Sequence, residues 1–152
     1  VMIKIQLLAS LLGVFALLSC NTPAKAPEGG KTTETAMSTE LLETYWKVVE
    51  INGQPVTNPA TNQKEAHIIL KKEGNRLQGS GGCNNLMGSY ELMEGNRIKF
   101  SGVASTMMAC PDMSIESALG KAIEMADNYA INGKFLMLHK AKMAPLVKFE
   151  AK

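Results

Sequence analysis

Gly79-Ser80-Gly81-Gly82-Cys83-Asn84-Asn85-Leu86-Met87-Gly88-Ser89-Tyr90 is the stretch that decides how this chain folds, and Ser105-Thr106-Met107-Met108-Ala109-Cys110-Pro111 answers it further on. The glycine run invites a phosphate-loop reading. A phosphate loop, however, continues into Gly-Lys-Ser/Thr and opens a helix, whereas this run continues into Cys83-Asn84-Asn85 and a second strand-like segment. Glycines set inside a strand pattern mark a bulge or a close backbone crossing, so the block reads as scaffold, with Asn84 and Asn85 expected to bond their own turn.

Working outward, the chain is punctuated by Asn52-Gly53, Glu73-Gly74-Asn75, Glu94-Gly95-Asn96 and Asn132-Gly133. Glycine and asparagine tolerate positive φ, which tight hairpin turns require. Between the turns lie strand-like runs at 45–51, 66–71, 76–80, 87–92, 97–103, 129–131, 134–139 and 146–150. Ile98 and Phe100 alternate with Arg97, Lys99 and Ser101, and Val147 and Phe149 alternate with Lys148 and Glu150. Alternation buries one face and wets the other, which fits an antiparallel sheet. One segment has a different period. Ile115, Ala118, Leu119, Ala122, Ile123 and Ala126 fall on one helical stripe, with Ser114 as the expected N-cap and Asp127-Asn128 as the stop. The predicted class is α+β: a curved antiparallel β-sheet, an open or half barrel, with one packed α-helix.

The two motif blocks, with Trp46 on an early strand and a helix and further strands after Cys110, resemble the META/HslJ-like domain of bacterial envelope lipoproteins. The resemblance covers about residues 41–150 and rests on Trp46, Gly81, Gly82, Asn84, Gly88, Tyr90, Thr106 and Pro111 beside the two cysteines. It implies a curved sheet or open barrel closed by one helix, with a structural role for those residues. It also implies roles in envelope stress and secretion, without a defined reaction.

The N-terminus predicts the compartment. Lys4 is the only charge ahead of an uncharged run from Ile5 to Leu18 that ends at Leu17-Leu18-Ser19-Cys20. That run is shorter than the roughly 20 residues that span a bilayer, so it reads as the core of a signal peptide. Ser19 directly before Cys20 looks like a lipobox, which predicts a signal peptide at 1–19 and a lipid on Cys20; cleavage without lipidation is the alternative. Residues 20–40 are rich in Pro, Ala, Gly, Lys, Thr and Glu, a composition that buries little surface and predicts a flexible tether. The domain then occupies 41–152. Asn21 in place of Asp after Cys20 favours the outer membrane over the inner one.

With Cys20 consumed by lipid, Cys83 and Cys110 remain as an even pair in an oxidising compartment, which predicts a disulfide; two buried free thiols are the alternative. A nucleophilic cysteine needs a base nearby, and His67 and His139 lie in strand-like runs with no recognisable motif. Met107, Met108 and Met113 beside Cys110 have the softness of a copper(I) site, but methionine commonly fills irregular cores, so core packing is expected and no metal or cofactor. The formal net charge is only +2 and no basic stripe carries interleaved aromatics, which argues against nucleic acid as a partner. Two roles remain. One is a non-catalytic lipoprotein, anchored to the membrane, that docks an envelope protein. The other is a carrier holding a lipid or small apolar ligand between helix and sheet. A filled core favours the first and a buried apolar slot the second.

Overall fold

A computed structural model describes residues 41–57 and 64–152. The expected signal peptide, lipidated Cys20 and tether all lie outside the described residues. Nine strands form one antiparallel sheet: β1 (Trp46–Ile51), β2 (Gln54–Pro55), β3 (His67–Lys71), β4 (Arg76–Ser80), β5 (Asn85–Met93), β6 (Arg97–Ser105), β7 (Asn128–Asn132), β8 (Phe135–His139) and β9 (Val147–Ala151). The α-helix α1 (Ser114–Met125) sits between β6 and β7, and a short 3-10 turn (Glu73–Asn75) joins β3 to β4. The expected α+β class therefore holds.

Strand order follows chain order from β3 to β9, and β9 pairs back onto β1, so the sheet curves until its hydrogen bonds form a ring. The ring is unevenly laced and is not a regular barrel. β5 and β6 pair from Leu86↔Ser105 to Met93↔Arg97, whereas β6 and β7 meet only at Arg97↔Asn128 and β1 meets β3 only at Trp46 and Lys47. The two-residue β2 was not foreseen. It arises because Asn52 (φ 50°) and Gly53 (φ 76°) both occupy the left-handed region, which folds β1 back on itself through a tight turn.

Alternation places one row from each strand inside the ring. Ile68 and Leu70, Leu77, Leu86 and Tyr90, Ile98 and Phe100, Leu136 and Leu138, and Val147 and Phe149 are all buried. In β1 the row runs Trp46, Val48 and then Ile51, because a bulge between Val48 and Glu50 turns Ile51 inward. Helix α1 packs against β1, β6 and β8 and adds Leu119, Ala122 and Ile123 to the same core, with Ala126 just beyond its end. Burying a side chain of this size contributes roughly 1.5–3 kcal/mol, so a helix too short to be stable alone is held by its apolar stripe.

Two local expectations are corrected. Ser114 is the first helical residue and not the N-cap. Met113 occupies the cap position without a side-chain bond, while the Asp112 carboxylate accepts the Ser114 N–H at 2.8 Å. The methionines are not core filler either. No described methionine is buried, and Met107 and Met108 stand in solvent. Strand β6 ends at Ser105, so the chain has left the sheet before either side chain can enter the interior.

Candidate functional site

Between β4 and β5 the chain turns through Gly81, Gly82, Cys83 and Asn84. The buried Ser80 hydroxyl donates to the Asn84 carbonyl (3.2 Å) and accepts the Gly82 N–H (3.2 Å), and the Gly81 N–H donates to the same Asn84 carbonyl (2.9 Å). The two glycines have different reasons to be there. A Cβ on Gly81 would lie 2.4 Å from Cγ of Glu116, so Gly81 lets α1 approach the turn. Around Gly82 the nearest atom to such a Cβ is 3.8 Å away, and the constraint is its φ of 111°, which L side chains rarely adopt. The close backbone crossing expected of this block is at Gly79, where a Cβ would lie 2.2 Å from the His67 carbonyl oxygen, while Gly81 makes room for the Glu116 side chain and Gly82 supplies only its backbone conformation.

Asn84 is the hub. Its Oδ1 accepts the Thr106 hydroxyl (2.8 Å) and the Met108 N–H (2.8 Å), and its Nδ2 donates to the Met108 carbonyl (3.2 Å) and to Oε1 of Glu116 (3.0 Å). The amide thus pairs with the Met108 backbone as a neighbouring strand would, and its two donors and two acceptor positions are all used. The Asn84 N–H donates to the other Glu116 oxygen at 2.7 Å, so one carboxylate in the first turn of α1 grips both the backbone and the side chain of one residue. A negative charge there also suits the positive end of the helix. The Thr106 hydroxyl accepts the Asn85 N–H at 3.2 Å. Asn84 therefore bonds well beyond its own turn, and the exposed Asn85 takes a Lys64 ammonium hydrogen bond at 3.0 Å.

Cys83 and Cys110 form the expected disulfide, with their Cα atoms 6.2 Å apart and a separation of 27 in sequence. The structure thus gathers Gly81, Gly82, Cys83, Asn84, Thr106 and Cys110 into one knot joining the β4–β5 turn, the segment after β6 and the start of α1. The other motif residues lie elsewhere. Trp46 is buried with Nε1 donating to the Leu41 carbonyl (2.9 Å), and Tyr90 is buried with its hydroxyl donating to the Lys71 carbonyl (3.0 Å). Gly88 lies at the β5–β6 register shift, where a Cβ would come within 3.2 Å of the Ser101 carbonyl oxygen, and Pro111 is exposed. Among the described residues, no buried side-chain nitrogen or oxygen is left without a hydrogen bond.

A second cluster escaped the sequence reading. Glu65 accepts from Lys152 (2.7 and 2.9 Å) and from the Tyr45 hydroxyl (3.2 Å), and pairs with Lys47 (2.9 Å). Its pKa is pulled down to about 2, chiefly by the Lys152 hydrogen bond, with Lys47 adding to it against partial burial. Burial, and then the Glu65 charge, raise that of Tyr45. The Tyr45 ring stacks on His67 at 4.3 Å. His139, on β8, has Nδ1 3.2 Å from the Met143 carbonyl. Away from both clusters, a groove of about 460 Å³ opens to solvent between β2 and the start of α1, with Ile51, Pro55 and Val56 on one wall and Asp112, Ile115 and Ala118 on the other.

A ring-bonded antiparallel sheet closed by one helix, and knotted through a Gly-Gly-Cys-Asn turn to a Thr-to-Cys segment, defines a small all-in-one α+β module. The chain belongs to the META domain family, whose domain it matches over residues 39–152. Two solved structures share the fold. An NMR structure of a protein from Burkholderia xenovorans is 22% identical, with a TM-score of 0.60 over 90% of this chain and 99% of that one. A second NMR structure is 19% identical, with a TM-score of 0.57 over 74% of this chain and 92% of the other. No curated protein matches the chain.

Proposed function

We propose that this protein is a non-catalytic lipoprotein of the cell envelope. In this reading Cys20 carries the lipid, residues 20–40 are the tether, and the META domain supports envelope stress tolerance, outer-membrane integrity or secretion by docking a protein partner. The observation that carries the docking role is the filled interior. Trp46, Phe149, Leu119, Ile123, Leu136 and Leu138 close the space between helix and sheet at 0–2% exposure, in the place where a carrier would hold its ligand. The polar groups of the motif knot are bonded to one another, which supports a scaffold role for the most distinctive residues in the chain and leaves recognition to the surface.

Carriage of a lipid or small apolar ligand is the second reading, favoured by the apolar side chains Ile51, Val56, Ile115 and Ala118 in the open groove. Native mass spectrometry of the protein isolated from membranes separates the two. Docking predicts the unliganded mass, and a stoichiometric lipid adduct would replace docking by carriage. The anchor is tested by metabolic labelling with a fatty-acid analogue, where wild type should take up label and Cys20→Ala should not. Equal labelling of the two would remove the lipid anchor from the account.

A further inference from the structure

Methionine is among the residue types most often buried, yet no described methionine of this chain lies in the core. The converse also holds. Among the described residues every exposed large apolar side chain is a methionine: Met107 at 99% exposure, Met143 at 62%, Met108 at 50%, Met87 at 46% and Met125 at 42%. They are spread over β5, the segment after β6, the end of α1 and the loop before β9. The core is built from Leu, Ile, Val, Phe, Tyr, Trp and Ala instead.

The consequence is chemical. A thioether takes one oxygen atom from a two-electron oxidant to become a sulfoxide, a polar group that disrupts a core and is harmless in water. Both cysteines of the domain are already oxidised to a disulfide, and the single Trp46 is buried, which leaves the thioethers as the accessible reducing groups.

We infer that the five exposed methionines are modification sites that make the domain a sacrificial reductant for hypohalous acids and peroxides, able to accept oxygen at each without unfolding. With hypochlorous acid the step balances as thioether + HOCl → sulfoxide + H⁺ + Cl⁻. Sulfur loses two electrons and gains the oxygen, chlorine gains those electrons, and the hydroxyl proton goes to solvent. With hydrogen peroxide the other product is water.

The test is a titration of the full chain with substoichiometric hypochlorous acid, read by peptide mapping at each methionine and by thermal melting, with a parallel arm in hydrogen peroxide. Met107 should oxidise first, at least about three-fold faster than the half-buried Met93, Met113 and Met137, followed by Met143, Met108, Met87 and Met125. Full oxidation of the five should lower Tm by less than about 4 °C. The combined variant M87L, M107L, M108L, M125L and M143L should keep the fold and lose most of the fast oxidant consumption, and with it the protection of a bystander protein in the same solution. Oxidation of Met93, Met113 or Met137 as fast as Met107, or a larger fall in Tm on oxidation of the exposed five, would overturn the inference from wild-type protein alone. So would undiminished protection by the folded leucine variant.

Discussion

The Asn84 knot and the Glu65 cluster both join pieces of chain that are far apart in sequence, but by opposite physical means. The knot ties the β4–β5 turn to the segment after β6 and to α1 by a covalent bond and a buried amide whose hydrogen-bonding positions are all used. The cluster ties β1 and the approach to β3 to the C-terminal residue by ion pairs at the surface, where Glu65 is still about a quarter exposed. Breaking the first leaves partly buried polar groups without partners, and each costs about 1–3 kcal/mol. Breaking the second returns charges to water, where an ion pair is worth only about 0–1 kcal/mol and is screened by salt.

Removing the disulfide gives the largest expected effect. Cys83→Ser with Cys110→Ser should lower unfolding free energy by roughly 3–4 kcal/mol on the chain-entropy account of a loop this long. Reductant should bring wild type down to the same level in urea denaturation and leave the variant unmoved. A wild type insensitive to reductant would dissolve the contrast between the two regions.

Next comes Asn84→Ala, expected to cost about 3 kcal/mol, because it orphans the Met108 backbone groups and one oxygen of Glu116 together. That exceeds what an asparagine bonding only its own turn would cost. The neighbouring Asn85→Ala should stay under about 0.5 kcal/mol, as exposed substitutions do. Equal effects at the two positions would mean that burial is not what separates them.

Glu65→Gln, in the second region, should have a smaller effect than breaking the knot, at most about 1 kcal/mol at pH 7 and less in high salt. The sign with pH follows from the lowered pKa. The folded carboxyl titrates at about 2 against its ordinary 4.5, so its contribution is fully present above 4.5 and fades as pH falls from there toward 2. Wild type and Glu65→Gln should therefore draw together as pH falls through about 2, and a gap of unchanged size from pH 7 to below pH 2 would exclude the charge as its cause.

The same contrast governs what was legible in the sequence. Turns at Asn52-Gly53 and Gly95-Asn96, the alternation in β6 and β9 and the stripe from Ile115 to Ala126 are local patterns, and they carried the fold class. The disulfide was legible from the expected compartment and the cysteine number. Glu116 was not, because it lies 32 residues from Asn84 and reads as an ordinary solvent-facing residue of an amphipathic helix. Glu65 and Lys152 are 87 residues apart, and no spacing rule connects them. The bulge that turns Ile51 inward depends on pairing with β9 at the far end of the chain, so the period of β1 alone misplaces it. Methionine misled for a different reason. Its usual place is inside, and only burial reveals that none of the described methionines is in the core.

The central claim is that Asn84 and Glu116 act as one structural clasp between sheet and helix, and a double-mutant cycle tests it most directly. Unfolding free energies of wild type, Asn84→Ala, Glu116→Gln and the double variant, measured in urea, give the coupling between the two residues. The account predicts a coupling of about 1 kcal/mol or more, as residues sharing buried hydrogen bonds show, with unfolding still two-state. Effects that add to within about 0.3 kcal/mol would contradict it, since independent residues add in that way.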